Sequence, residues 1–190
     1  MKIKEIRSIV VFVSILVLAI IPFALILWVP GPDIQRSGTF KEVNGQMVFA
    51  DIVDHTPAHP MAPYAFFCVI VGWLIFFTGI FQMHKVLQKM ESSNYPISPV
   101  QSLILQIFPF YNFYGVFKWT NTLIHFLNEN CKTQFKTGIW GFFLLIALLL
   151  AFIGSLPPGA VLSHSFALMI SASVYLVLAN RVNRFLLRKS

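Results

Sequence analysis

Four blocks of this chain contain no Asp, Glu, Lys or Arg: Ser8 to Pro32, Ala65 to Met83, Thr137 to Ser155 and Gly159 to Asn180. Each approaches the roughly 20 residues that carry a helix across about 30 Å of hydrocarbon. In lipid every backbone N–H and C=O must be satisfied within the segment, so runs of this kind are read as helices. Only 11% of the 190 residues are charged, against about 25% in an average soluble domain. The expected fold is therefore an all-α integral membrane protein, a single domain with spans at about 8–29, 65–83, 137–155 and 160–180.

Lys2, Lys4 and Arg7 precede the first apolar run, as they would in a secretory signal. The run is too long for a signal h-region, however, and it continues into Val29-Pro30-Gly31-Pro32 without a small-x-small cleavage site. It is expected to be an uncleaved anchor.

Orientation follows from the cations. With the amino terminus inside, the cytoplasmic segments hold Lys2, Lys4, Arg7, Lys85, Lys89, Lys118, Lys132, Lys136, Arg181, Arg184, Arg188 and Lys189, and the outside holds Arg36 and Lys41. That bias predicts both termini in the cytoplasm. It also accounts for the net charge of +7 without a basic patch standing apart from the helix ends, so nucleic acid is not an expected partner. Cys68 then lies near the outer end of the second span and Cys131 on the cytoplasmic side, too far apart for a disulfide.

The outer loop, 30–64, contains Thr39 to Val43, then Asn44-Gly45, then Gln46 to Ala50. Asn-Gly suits a type I′ turn, so a β-hairpin is expected with Phe40 opposite Phe49. The stretch Asp51 to Tyr64 follows, held extended by prolines at 57, 60 and 63. Leu156-Pro157-Pro158-Gly159 reads as a tight outer turn between the last two spans.

On the cytoplasmic side, Ser98-Pro99-Val100-Gln101 has the form of a capping box with proline in the first turn. The helix it opens stops at Pro109, and a second helix continues towards Asn128. Neither piece reads as a span, because the first is short and the second carries Lys118, His125 and Glu129. Residues 98–130 are expected to form a re-entrant or interfacial helical hairpin, with Tyr and Trp at headgroup depth. Merging Val100 to Phe117 into a fifth span would strand Lys132 and Lys136 outside.

The segment from Ile97-Ser98-Pro99 through Phe108-Pro109-Phe110-Tyr111-Asn112-Phe113-Tyr114 to Phe117 and Leu127-Asn128 resembles a group of uncharacterised bacterial multi-pass membrane proteins. Their common stretch runs Ser/Thr-Pro, an apolar helix, then Pro-Phe-Phe-Asn-x-Tyr-Trp-x-Phe. Ser98, Pro99, Pro109, Asn112, Tyr114 and Phe117 fall on it, and Gly115 replaces the usual Trp. The resemblance implies a bacterial cytoplasmic membrane and no particular activity.

Candidate sites are few. His55 and His59, with Asp51 and Asp54 beside them and His164 at the outer end of the fourth span, are the residue types that hold zinc or copper. Haem needs two histidines at similar depth on facing helices, or one plus another axial ligand, and His84 and His125, both on the cytoplasmic side, are the only pair that could serve; His84, beside Lys85 at a span end, reads as an interfacial histidine. Small residues recur on the fourth span at Ser163, Ala167 and Ser171 and on the second at Cys68 and Gly72, a spacing that lets helices approach closely. His-Glu-x-x-His, Gly-x-Ser-x-Gly and phosphate-loop motifs are absent, so the reading leans away from catalysis. What remains is a non-enzymatic accessory or structural subunit, partnered by lipid and other membrane proteins. A metal-binding or redox protein using the outer histidines is the alternative, and a small-solute transporter the next.

Overall fold

The computed structural model describes residues 8–28, 35–43, 46–55, 59–89, 95–107, 109–131, 136–153 and 160–189. They form helix α1 (Ser8–Trp28), strands β1 (Gln35–Val43) and β2 (Gln46–His55), then helices α2 (Ala62–Gln88), α3 (Pro99–Ile107), α4 (Pro109–Cys131), α5 (Ile139–Ile153) and α6 (Ala160–Lys189). Among the described residues three helical segments are long and apolar enough to cross a membrane: Ser8–Ile26, Ala62–Gln88 and Leu162–Arg188. α5 is equally apolar but has 15 residues, about 22 Å of helix and short of a full hydrocarbon core. The Leu156 to Gly159 turn lies outside the described residues.

The long helices alternate in direction. Ser8 Oγ donates to Asn180 Oδ1 at 2.8 Å, and Phe23 meets Phe166 edge-on with centroids 5.0 Å apart, so α1 runs antiparallel to α6. α2 runs parallel to α6: Gly72 lies against Leu168, and Gly79 against the Tyr175 ring. At Gly79 a Cβ would stand 2.9 Å from two Tyr175 ring carbons, which is why no side chain is present at this crossing. The start of α1, the end of α2, the start of α5 and the far part of α6 share one end of the bundle. That end carries Lys85, Lys136, Arg181, Arg184 and Arg188.

α6 runs nine residues beyond the 160–180 expected for its span. The extension is amphipathic: Val182, Phe185 and Leu186 are buried, while Arg184 and Arg188 are exposed. Charge density therefore marked the end of the apolar run but not the end of the helix, because the buried stripe continues at helical spacing.

β1 and β2 pair antiparallel, with Phe40 opposite Phe49 and Val43 opposite Gln46. The ladder continues beyond the expected strand ends to Gln35 opposite His55, through a register shift between Ser37 and Thr39. Asp51 to His55 thus belong to a strand and not to the proline-held stretch. Asn44 and Gly45 lie outside the described residues.

α3 and α4 form a hairpin entering from the basic end. Ser98 N–H donates to Gln101 Oε1 at 3.0 Å and Gln101 N–H to Ser98 Oγ at 3.1 Å, the reciprocal pair that starts α3. α3 packs on α2 and α4, and α4 on α5 and α6. Gly115 is where α3 and α4 touch: a Cβ there would fall 2.0 Å from the Leu105 carbonyl oxygen. Gly141 does the same for α4 and α5, since its Cβ would stand 2.8 Å from Phe117 Cδ1. Asn121 Oδ1 accepts the Gly138 N–H at 2.8 Å, levelling Asn121 with the start of α5.

Candidate functional site

The hairpin closes over α2 and α6 and buries polar groups between them. His84 is completely buried, because Tyr95, just before α3, and Trp119 of α4 cover it. Its Nδ1 lies 2.6 Å from Tyr95 Oη. The His84 and Trp119 rings meet edge-on at 5.6 Å, and Tyr95 packs on Phe126, which packs on Phe185, at 5.0 and 5.6 Å. Burial pushes the Tyr95 phenol well above its ordinary range, so the hydroxyl keeps its proton and serves as donor. A Tyr95 O–H given to Nδ1 leaves the imidazole proton on Nε2.

That Nε2 has no hydrogen-bond partner, nor has Trp119 Nε1, nor Tyr175 Oη. All three are buried in the interior formed by α2, α4 and α6. An unmade hydrogen bond at a buried donor costs about 1–3 kcal/mol, so three in one region form an unusual concentration.

One level further into the bundle is a cavity of about 20 Å³, lined by Trp73, Phe76 and Phe77 of α2, Gln106 of α3, Val116 of α4, Leu144 and Leu148 of α5 and Ser171 of α6. Gln106 is buried and its Nε2 donates to Ser102 O at 2.8 Å. The hairpin thus reaches the middle of α2, α5 and α6. On its other side, Pro96, Asn121, Thr122, His125, Phe126 and Glu129 line an open cleft of about 400 Å³. There His125 Nδ1 sits 3.3 Å from Glu129 Oε1, both side chains largely exposed.

The expected metal residues are not seen to gather. His59 is half-buried and works locally: its Nδ1 accepts the Met61 N–H at 3.2 Å and its carbonyl the Ala62 N–H at 2.9 Å, together starting α2. His55 and Asp54 pair along the backbone with Gln35 and Arg36, and their side chains lie outside the described residues. His164 is half-buried with Nδ1 unpartnered. Among the described residues no group of three or more His, Cys, Asp or Glu is placed to hold a metal ion. His84 and His125 are held by different neighbours, Tyr95 inside and Glu129 in the cleft. His84, expected to meet water beside Lys85, has no exposed surface because the hairpin covers it.

The small residues pack inside the chain's own bundle. Gly72, Ala167 and Ser171 are buried, Ser163 Oγ donates to Leu150 O, and Cys68 is half-buried with a free thiol. Of the motif residues, Tyr114 is exposed and Phe117 half-buried, Pro109 opens α4, and the Asn112 side chain lies outside the described residues.

Sequence reasoning missed Tyr95, Gln106, Trp119 and Tyr175 as a polar interior. No local signal singles them out, since α3 carries Gln101 and Ser102 besides Gln106. No protein-family model, curated protein or solved structure matches this chain.

Proposed function

We propose that the chain is a four-span protein of a bacterial cytoplasmic membrane, with both termini cytoplasmic and α3–α4 re-entrant. In this reading it is a non-enzymatic subunit that docks to another membrane protein through the outer face of that hairpin. The observation supporting it is the hairpin's one-sided burial. Gln106, Val116 and Trp119 face inward, while Val100 and Ile104 of α3 and Phe113, Tyr114 and Lys118 of α4 face outward. Asn121 marks the level of the start of α5, so Lys118 and Tyr114 lie about 4.5 and 10 Å further in along the helix. Lys118 Nζ sits 5.7 Å from the Tyr114 ring centroid. Broken helices at membrane depth are tolerated where protein or a water-filled cavity covers them, and a partner helix on this face supplies the cover. The likeness to the bacterial multi-pass group also falls on this segment.

The test is purification of the tagged chain from its own membranes in mild detergent, with mass spectrometry of bound proteins. A stoichiometric partner is expected; recovery alone or as a homo-oligomer removes the reading. Metal content of the same sample decides the alternative at His55, His59 and His164, with Asp54. A small-solute transporter is the other reading, and the specific observation in its favour is the broken helix lining a mid-bundle cavity.

A further inference from the structure

We infer that the exposed face of α6 beyond Asn180 is a docking surface for anionic phospholipid headgroups, held by Arg181, Arg184 and Arg188. The subunit reading is not needed for it, nor is the side of the membrane that the basic end faces.

The first observation is placement. Arg181, Arg184 and Arg188 follow at spacings of three and four, within about 60° of arc around the helix. Val182, Phe185 and Leu186 take the other side and are buried, with Phe185 edge-on to Phe126 of α4. That packing turns the arginines outward: Arg184 and Arg188 are exposed and Arg181 is half-buried. The same side of α6 is exposed within the span, at Phe166, Ser173 and Asn180, which lead to Arg184 at spacings of seven, seven and four. A side that looks into lipid along the span therefore continues among the headgroups.

The second is depth. The Ser8–Asn180 hydrogen bond sets the start of one charge-free block level with the end of another, which marks the edge of the hydrocarbon. Arg181, Arg184 and Arg188 lie about 1.5, 6 and 12 Å further along the axis, and the headgroup layer is about 5–8 Å thick on each side. Side chains on a helix lean towards its amino terminus, here back towards the bilayer, and the long arginine stem returns the Arg188 guanidinium to that layer. Guanidinium pairs with phosphate oxygens through two parallel hydrogen bonds. Charge decides the lipid class. From Asn94 onwards the chain has one carboxylate, Glu129, and it pairs with His125 in the cleft. A zwitterionic lipid brings its own cation to the phosphate, whereas an anionic lipid brings none.

Native mass spectrometry of the full chain in detergent counts bound lipids one at a time. Phosphatidylglycerol is titrated against phosphatidylcholine of the same acyl chains. Each cation near anionic lipid strengthens binding about fivefold, so the wild type should prefer phosphatidylglycerol by roughly tenfold or more. Arg181→Gln combined with Arg184→Gln and Arg188→Gln should abolish that preference. Lys85→Gln combined with Lys89→Gln and Lys136→Gln, which removes as much charge from the same end, should keep it. Equal binding of the two lipids by the wild type, an unchanged preference in the arginine variant, or an equal loss in the lysine variant overturns the inference. Displacement of phosphatidylglycerol by inorganic phosphate would make this a soluble-anion site and overturns it too. A further measurement needs no variant: the wild-type preference should fall as ammonium acetate is raised, and a preference independent of salt contradicts charge pairing.

Discussion

Ser8 Oγ and Asn180 Oδ1 are joined by a 2.8 Å hydrogen bond across 172 residues of sequence. It ties the first turn of α1 to α6 where the apolar run of α6 ends and its basic extension begins. Side-chain bonds between membrane helices average roughly 0.6 kcal/mol in double-mutant cycles. Ser8→Ala and Asn180→Ala should each destabilise slightly, with a coupling of about that size in the cycle, read by unfolding in mixed detergent. Zero coupling would show that the contact contributes nothing to the bundle.

Gly115 and the Leu105 carbonyl set the closure of the hairpin. Gly115→Ala places a methyl group 2.0 Å from a backbone oxygen that belongs to a helix. Relief requires the helices to separate, so a cost of about 1–3 kcal/mol or more is expected, as for overpacking elsewhere. A larger replacement, Gly115→Leu, should cost more and increase proteolysis near Lys118. Wild-type stability in Gly115→Ala would refute the packing.

Tyr95→Phe removes the hydroxyl that meets His84 Nδ1 and leaves a buried acceptor unmade, at about 1–3 kcal/mol. Pairing it with His84→Leu should recover part of the loss, because two apolar partners leave nothing unsatisfied. A double variant less stable than Tyr95→Phe alone would count against the pair.

The same phenol predicts an alkaline effect. Burial raises its folded-state pKa above the unfolded value near 10. The chain is therefore unaffected below pH 10 by this group, and loses stability as pH rises above it, where only the unfolded phenol ionises. Tyr95→Phe should flatten that alkaline fall relative to wild type when unfolding midpoints are compared above and below pH 10.

The fold and the candidate site differed in how legible they were in the sequence. Charge-free blocks, the proline at 109 and the Ser98–Gln101 box mark helices without knowledge of their neighbours, since each is a local signal. The β ladder beyond Ala50 was missed because its extension passes a register shift that alternation does not reveal. A histidine beside lysine at a span end normally meets water, and His84 is buried only because Tyr95 and Trp119 fold back over it. Trp119, Gln106 and Tyr175 carry no local mark, as their roles arise from contacts between distant segments.

Orientation is tested by thiol labelling in intact cells of a chain with Cys68 and Cys131 replaced. Glu42→Cys should react with an impermeant maleimide from outside, and Lys136→Cys only after permeabilisation. Reaction of Lys136→Cys in intact cells would favour a fifth span.

The most direct test of the central claim is photo-crosslinking in native membranes from a benzophenone residue at position 114, with one at position 143 on α5 as control. The account predicts one discrete protein adduct from position 114 and lipid or diffuse products from position 143. Lipid adducts alone from position 114 would contradict docking through the hairpin.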